Sequence, residues 1–266
     1  MLKRLFGHRP AAATARTPEG MAIYAIGDVH GRADLLRPLL GAIVDDAATL
    51  PEVERRIVLL GDYVDRGQDS RGVLELLCRL GGQTPVGVQA LLGNHDRMLL
   101  DFIDTPEIGP TWCQWGGRET LLSYGVQPPA GGGERADWPQ LRDTFADAVP
   151  AAHLAFLRSL ELSVSYGDYF FVHAGVRPGV ALAAQTDEDL LWIREPFLTH
   201  TGDFGKTIVH GHTAATAIHV DPRRVAIDTG AYGTNRLTAV RLRGAERTFL
   251  QTRKDAGRIV VSPVAV

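Results

Sequence analysis

Three short apolar runs in the first hundred residues each stop at a glycine and give way at once to carboxylate, amide and imidazole side chains. Residues 22–26 lead into Gly27-Asp28-Val29-His30-Gly31, residues 57–60 into Gly61-Asp62-Tyr63-Val64-Asp65-Arg66-Gly67, and residues 86–92 into Gly93-Asn94-His95-Asp96. Runs this short and this apolar read as buried strands. Between them, Leu35, Leu36, Leu39, Leu40, Ile43 and Val44 repeat at helical spacing, as do Val73, Leu74, Leu77 and Leu80. Pro38 sets the first helix to begin no earlier than about Asp34, because proline is tolerated only near a first turn. Ser70 reads as the cap of the second helix and Gly81-Gly82 as its stop. Strand, helix, strand, helix, strand makes parallel pairs, and the carboxyl ends of parallel strands share one edge. Asp28, His30, Asp62, Asn94 and His95, about 30 residues apart in sequence, are therefore expected to converge.

The rest of the chain extends this plan. Residues 1–20 read as a mobile tail, and 21–266 as a single domain carrying a helical insertion over about 104–160. Past the insertion, strand patterns dominate at 162–166, 169–173, 207–210, 224–228, 237–242 and 246–252. An α/β first half and a β-rich second half predict two packed mixed β-sheets, a β-sandwich flanked by α-helices.

Composition then removes whole classes of function. With 28 Lys+Arg against 31 Asp+Glu the net charge is −3, so no global basic excess exists to hold nucleic acid. No apolar run approaches the roughly 20 residues that cross a bilayer. Two cysteines exclude a disulfide scaffold and fit a reducing, cytoplasmic setting.

Two later blocks, His173-Ala174-Gly175 and His210-Gly211-His212-Thr213, also follow strand patterns. One Asp-x-His is more often a satisfied surface or core feature than a metal ligand. Five such blocks at strand ends in one chain are not independent accidents. Carboxylate, imidazole and amide together suit Mn, Fe or Zn. No cysteine adjoins any block, which excludes a thiolate-bound structural zinc.

The blocks GDVHG, GDYVDRG, GNHD, HAG and GHT, in this order, resemble the calcineurin-like metallophosphoesterases, most closely their phosphoprotein phosphatase branch. The resemblance covers about residues 21–235 and implies a metallo-dependent phosphatase type of sandwich with a dinuclear metal site. Position by position, it makes Asp28 and His30 ligands of one metal, Asp62 the bridge, and Asn94, His173 and His212 ligands of the other. It makes His95 and Asp65 a proton-transfer pair, Arg66 and Arg194 phosphate-gripping groups with Asn94 also on the phosphate, and Tyr232 a substrate-facing residue. Manganese is the first expectation, with iron or zinc sharing the ligand set. Two divalent ions sharing a carboxylate lower the pKa of a bridging water, so hydroxide is the implied nucleophile and a histidine the acid. Ala214 stands where many wider relatives place a further histidine ligand.

Other residues carry the plainer expectation. His8, His153, His200 and His219 read as exposed or structural, and His210 as pocket-edge or packing. Trp112 and Trp115 read as anchors of the insertion, Cys78 as core, and Arg223-Arg224 as a solvated turn. The leading functional expectation is hydrolysis of phosphomonoesters on phosphoproteins, the activity of a Ser/Thr protein phosphatase. A symmetrical dinucleoside tetraphosphatase stands second, because that subgroup commonly lacks the acid that Asp65 supplies here. A non-catalytic scaffold of the same fold stands third, and Asp62, Asn94 and His95 all argue against it.

Overall fold

A computed structural model describes residues 14–50, 54–131 and 137–266. The first thirteen residues of the expected tail, His8 among them, lie outside the described residues, as do Gly132 and Gly133. The first half runs β1 (Met21–Ile26), α1 (Ala33–Ala48), β2 (Glu54–Leu59), α2 (Ser70–Gln83), β3 (Gly87–Ala90) and α3 (Asn94–Asp104). The strands pair in parallel, with Ile26 opposite Leu59 and Leu59 opposite Ala90. The middle is helical: α4 (Gly109–Trp112), a kinked turn (Cys113–Gly117), α5 (Arg118–Ser123), α6 (Trp138–Ala148) and α7 (Ala151–Arg158).

The second half holds β4 (Ser163–Tyr166), β5 (Tyr169–Val172), α8 (Asp187–Trp192), β6 (Thr207–His210), β7 (His219–Val220) and β8 (Arg224–Ala226). Then follow α9 (Ala231–Thr234), β9 (Thr238–Arg243), β10 (Glu246–Asp255) and β11 (Arg258–Val264). One sheet has the order β11-β10-β9-β1-β2-β3 and the other β4-β5-β6-β8-β7. Both are mixed, and they pack as the expected sandwich.

Strand alternation sorts the core into three layers. Ile23, Ala25, Val58, Leu60 and Val240 face the second sheet and meet its Phe171, Val209 and Val225. Tyr24, Ile26, Ile57 and Leu59 point the other way, onto Leu36, Leu39, Val73 and Leu99 of the helices. On the outer face of the second sheet, Phe170, Val172 and Ile208 pack under Leu190, Ile193 and Phe197. Strands buried on both faces explain the unbroken apolar runs in the sequence.

Several local expectations need correction. Helix α1 begins at Ala33 with Pro38 inside it, one residue earlier than expected. Asp69, not Ser70, caps α2 by accepting the Gly72 N–H. Gly81-Gly82 does not stop α2; the helix ends at Gln83 because Thr84 precedes a proline and is pushed extended. Residues 14–20 are packed rather than free: Arg16 N–H bonds the Asp168 carboxylate, and Thr17 and Gly244 exchange two hydrogen bonds. Cys78 is exposed, one residue past the Val73-Leu74-Leu77 stripe. Arg224 is buried with its guanidinium over Phe197, because it lies in β8 and not in the turn.

Candidate metal centre

The parallel strands of both sheets point their carboxyl ends to one edge, and the blocks gather there. Asp28 and His30 follow β1, Asp62 follows β2, Asn94 and His95 open α3, His173 follows β5 and His212 follows β6. Backbone bonds lock the loops together. The N–H groups of Val29 and His30 donate to the Asp62 carbonyl, and the Asp96 carboxylate accepts from Asp62, Tyr63 and Gly93. At Gly61, with φ +102, a Cβ would lie 2.5 Å from the Gly93 nitrogen, so only glycine lets the second and third blocks approach.

Asp62 is the centre of the arrangement. Its carboxylate forms one tight cluster with His30 and His95 and another with His173 and His212, all buried. His30 Nε2 lies 3.4 Å from Asp62 Oδ2, and His173 Nε2 lies 3.5 Å from Oδ1. Backbone carbonyls fix the tautomers. His30 Nδ1 donates to Val64 and His173 Nδ1 to Leu60, each at 2.9 Å, which leaves both Nε2 lone pairs aimed at the carboxylate. His212 Nδ1 lies 2.9 Å from Asn94 Oδ1, and its buried Nε2 has no partner among the described residues. Asn94 Oδ1 also lies 2.9 Å from His173 Nε2.

The protonation states suit cation binding. Burial pushes the His30 and His212 imidazoles down to about 3, and lowers His173 as well, so all three stay neutral. Burial disfavours the Asp62 charge, but the His95 imidazole, whose own pKa is raised, and the His95 backbone N–H hold the carboxyl below its usual range. Asp28 is raised by burial and by the nearby carboxylates of Asp228 and Asp62. An orphaned imidazole nitrogen, converging lone pairs and three buried carboxylates fit divalent cations. Asp28 enters neither tight cluster; its oxygens turn to the His212 N–H at 3.0 and 3.2 Å.

The proposed chemical partners sit around this floor. Asp65 Oδ2 accepts from His95 Nδ1 at 2.8 Å, and its carboxylate also accepts from Trp112 Nε1 and Thr120 Oγ1. Burial lowers the His95 pKa, but Asp62 and Asp65 outweigh it and raise the net value. The Arg66 guanidinium lies 3.2 Å from His30 Nε2 and 2.9 Å from His95 Nε2. Tyr232 stands edge-on to His30 with Arg66 at 5.1 Å from its ring centre. Asp62, Asn94, His95 and His212 form the floor of an open cleft of about 790 Å³, with Arg66, Arg118, Arg194, Trp115 and Tyr232 among its walls.

The model of the calcineurin-like phosphoesterases matches residues 21–243. The chain belongs to that family. Relatives within it carry a more specific description than the phosphoprotein phosphatase branch to which the motifs pointed. A symmetrical bis(5'-nucleosyl)-tetraphosphatase of Methylococcus capsulatus is 35% identical over 59% of this chain and 44% of its own length. The chain thus spans under half of that relative. A protein of the same description from Aromatoleum aromaticum is 26% identical over 84% of this chain and 94% of its own. A solved cold-active protein tyrosine phosphatase, 18% identical, covers 92% of this chain and is itself covered to 81%, with a TM-score of 0.58. That likeness shows the shared fold alone.

Within this phosphoesterase fold, other expectations separate cleanly. His210 is fully buried against Phe197 and belongs to neither cluster, so it packs. His153 is structural, bonded to Tyr124 and Glu75. Trp112 is buried and stacked on Phe102, an anchor as expected. Trp115 is not an anchor: it is 43% exposed and lines the cleft. Cys113 also reaches the cleft wall, which proximity in sequence did not show, but burial pushes its thiol up to about 11. Sequence reading also missed Arg118, Trp192, Thr120 and Asp96. The last three act through bonds and packing that only the fold creates.

Proposed function

We propose that the protein is a divalent-metal-dependent hydrolase that cleaves symmetrical dinucleoside tetraphosphates. The observation that carries this is the cleft: two imidazole clusters sharing one carboxylate beneath three arginines and exposed aromatic rings. The descriptions of the relatives support the same substrate. Such a substrate is a chain of anionic phosphates with a flat base at each end, matching cations beside rings.

Asp62, with Asp28 and His30 on one side and Asn94, His173 and His212 on the other, would hold two metals, manganese being the choice for assay. When bound, these supply charge neutralisation and an activated water. Arg66 and Arg194 bind phosphate oxygens, and Arg66 leaves His95 Nε2 as it does so. His95, oriented by Asp65 at Nδ1, then holds a proton at Nε2 for the leaving oxygen. Cytoplasmic placement belongs to the same proposal. Among the described residues no helix is long and apolar enough to cross a membrane.

A second reading, phosphomonoester hydrolysis, is favoured by the intact Asp65–His95 pair. The test is a panel with added manganese: a symmetrical dinucleoside tetraphosphate, phosphoserine and phosphotyrosine peptides, and sugar phosphates. Two nucleoside diphosphates released at the highest kcat/KM support the proposal. A phosphopeptide turned over far better, with the dinucleotide inert, replaces it by the second reading.

A further inference from the structure

Trp115 is a large apolar ring left 43% exposed, on the wall of the cleft rather than on the outer surface. It is not loose. Trp192 meets it edge-on, with ring centres 5.3 Å apart, and the His95 ring centre lies 6.5 Å away. It belongs to the kinked turn Cys113–Gly117, where Gly116 leaves the helical conformation. The next residue ties that turn to the phosphate-gripping arginine: the Gly116 carbonyl accepts the Arg66 N–H at 3.1 Å. At Gly116, with φ +116, a Cβ would lie 2.6 Å from the Arg66 nitrogen, so only glycine permits the contact. Arg118, on the same wall, is anchored by a hydrogen bond to the Pro129 carbonyl at 2.7 Å.

A rigid, half-exposed indole held at fixed distance from a phosphate-binding arginine has one evident use. We propose that Trp115, braced by Trp192, stacks on a purine or pyrimidine base and so makes the cleft select nucleotide substrates over other phosphoesters. This rests on the reading given under Proposed function and names the residue that sets its substrate class. Aromatic stacking is sequence-tolerant because every base has a π face, so Trp115 favours nucleotides without choosing among bases.

The test compares a symmetrical dinucleoside tetraphosphate with phosphoserine, which has no ring, on the manganese-loaded full chain. Trp115→Ala is expected to lower the preference for the dinucleotide, as a ratio of kcat/KM values, roughly tenfold, mainly through KM. Trp115→Phe keeps most of the preference, because a flat face remains. Quenching of tryptophan emission by the dinucleotide should also shrink in Trp115→Phe. A preference unchanged in Trp115→Ala, with normal dinucleotide turnover by the parent chain, overturns this inference alone. A parent chain that hydrolyses phosphoserine but not the dinucleotide overturns the substrate reading and the base site together.

Discussion

Asp62 is shared by two imidazole clusters, whereas Asp28 is turned to a backbone amide, and this asymmetry has consequences at the scale of single residues. Replacing Asp62 removes the only carboxylate that both clusters use. Asp62→Asn is therefore expected to lose metal from both positions, and Asp28→Asn less, by elemental analysis. His95 stands beside His30 and Asp62 in the first cluster, but its Nδ1 is held by Asp65 and its Nε2 faces Arg66. His95→Asn therefore leaves the proposed ligands Asp28, His30 and Asp62 in place, along with His173 and His212. It should retain metal yet lower kcat on phosphoserine by roughly 10²–10⁴, with a smaller loss on p-nitrophenyl phosphate, whose phenolate leaves without a proton. Equal losses on both substrates, or loss of a metal, would remove His95 from the role of acid. The backbone shows the same concentration of chemistry. His30, Asp62, Asp65, Arg66 and His212 all have positive φ, between 45° and 70°. Strain of about 1–3 kcal/mol at each such position persists only where the surroundings over-determine it, and here they aim side chains into the site.

At the scale of elements, what the sequence reveals depends on whether periodicity reaches it. Each ligand block is legible because a buried strand ends in it, and strand ends in parallel sheets share an edge. Trp115 and Thr120 are not legible, because the insertion folds around a kink at Gly116 and around Asp65, and neither leaves a repeat in the sequence. The strap 14–20 is equally silent: it is held by turn-to-turn hydrogen bonds rather than an apolar stripe. By contrast β11 does carry a sequence signal, Gly257 ahead of the apolar run Ile259-Val260-Val261, and its hairpin turns at Ala256 and Gly257 with positive φ, with Pro263 on its outer strand. The β7–β8 hairpin shows how much one turn residue can carry. Burial disfavours the Asp221 charge, yet the Arg223 and Arg224 N–H groups and the His219 and Arg223 side chains hold its pKa down at about 2. A depressed carboxyl stabilises the fold above its unfolded pKa and loses that contribution as pH falls through the folded value. Asp221→Asn is therefore expected to cost about 2 kcal/mol at neutral pH. The gap from the parent chain should close between pH 4 and pH 2, read by urea unfolding at each pH. A gap that stays constant with pH would mean that the carboxylate charge is not what holds the turn.

At the scale of the molecule, the site lies where the two sheets meet. His30, Asp62 and Asn94 project from the edge of one sheet, His173 and His212 from the edge of the other. The apolar layer between the sheets ends there, and lone pairs from both sides face a shared carboxylate. A cation bound by this set joins the sheets, and it also offsets the mutual repulsion of Asp28, Asp62 and Asp228. Binding to the folded state alone stabilises by about 2.7 kcal/mol at a hundredfold excess over Kd. For a chain of this size that corresponds to a rise in Tm of roughly 5–10 °C. Manganese added to chelator-treated protein is expected to produce this rise, and Asp62→Asn to abolish most of it while folding with the same helix and strand content by circular dichroism. A melting temperature indifferent to manganese in the parent chain would mean that manganese does not bind preferentially to the folded state, and that the residues gathered between the sheets are not a metal site.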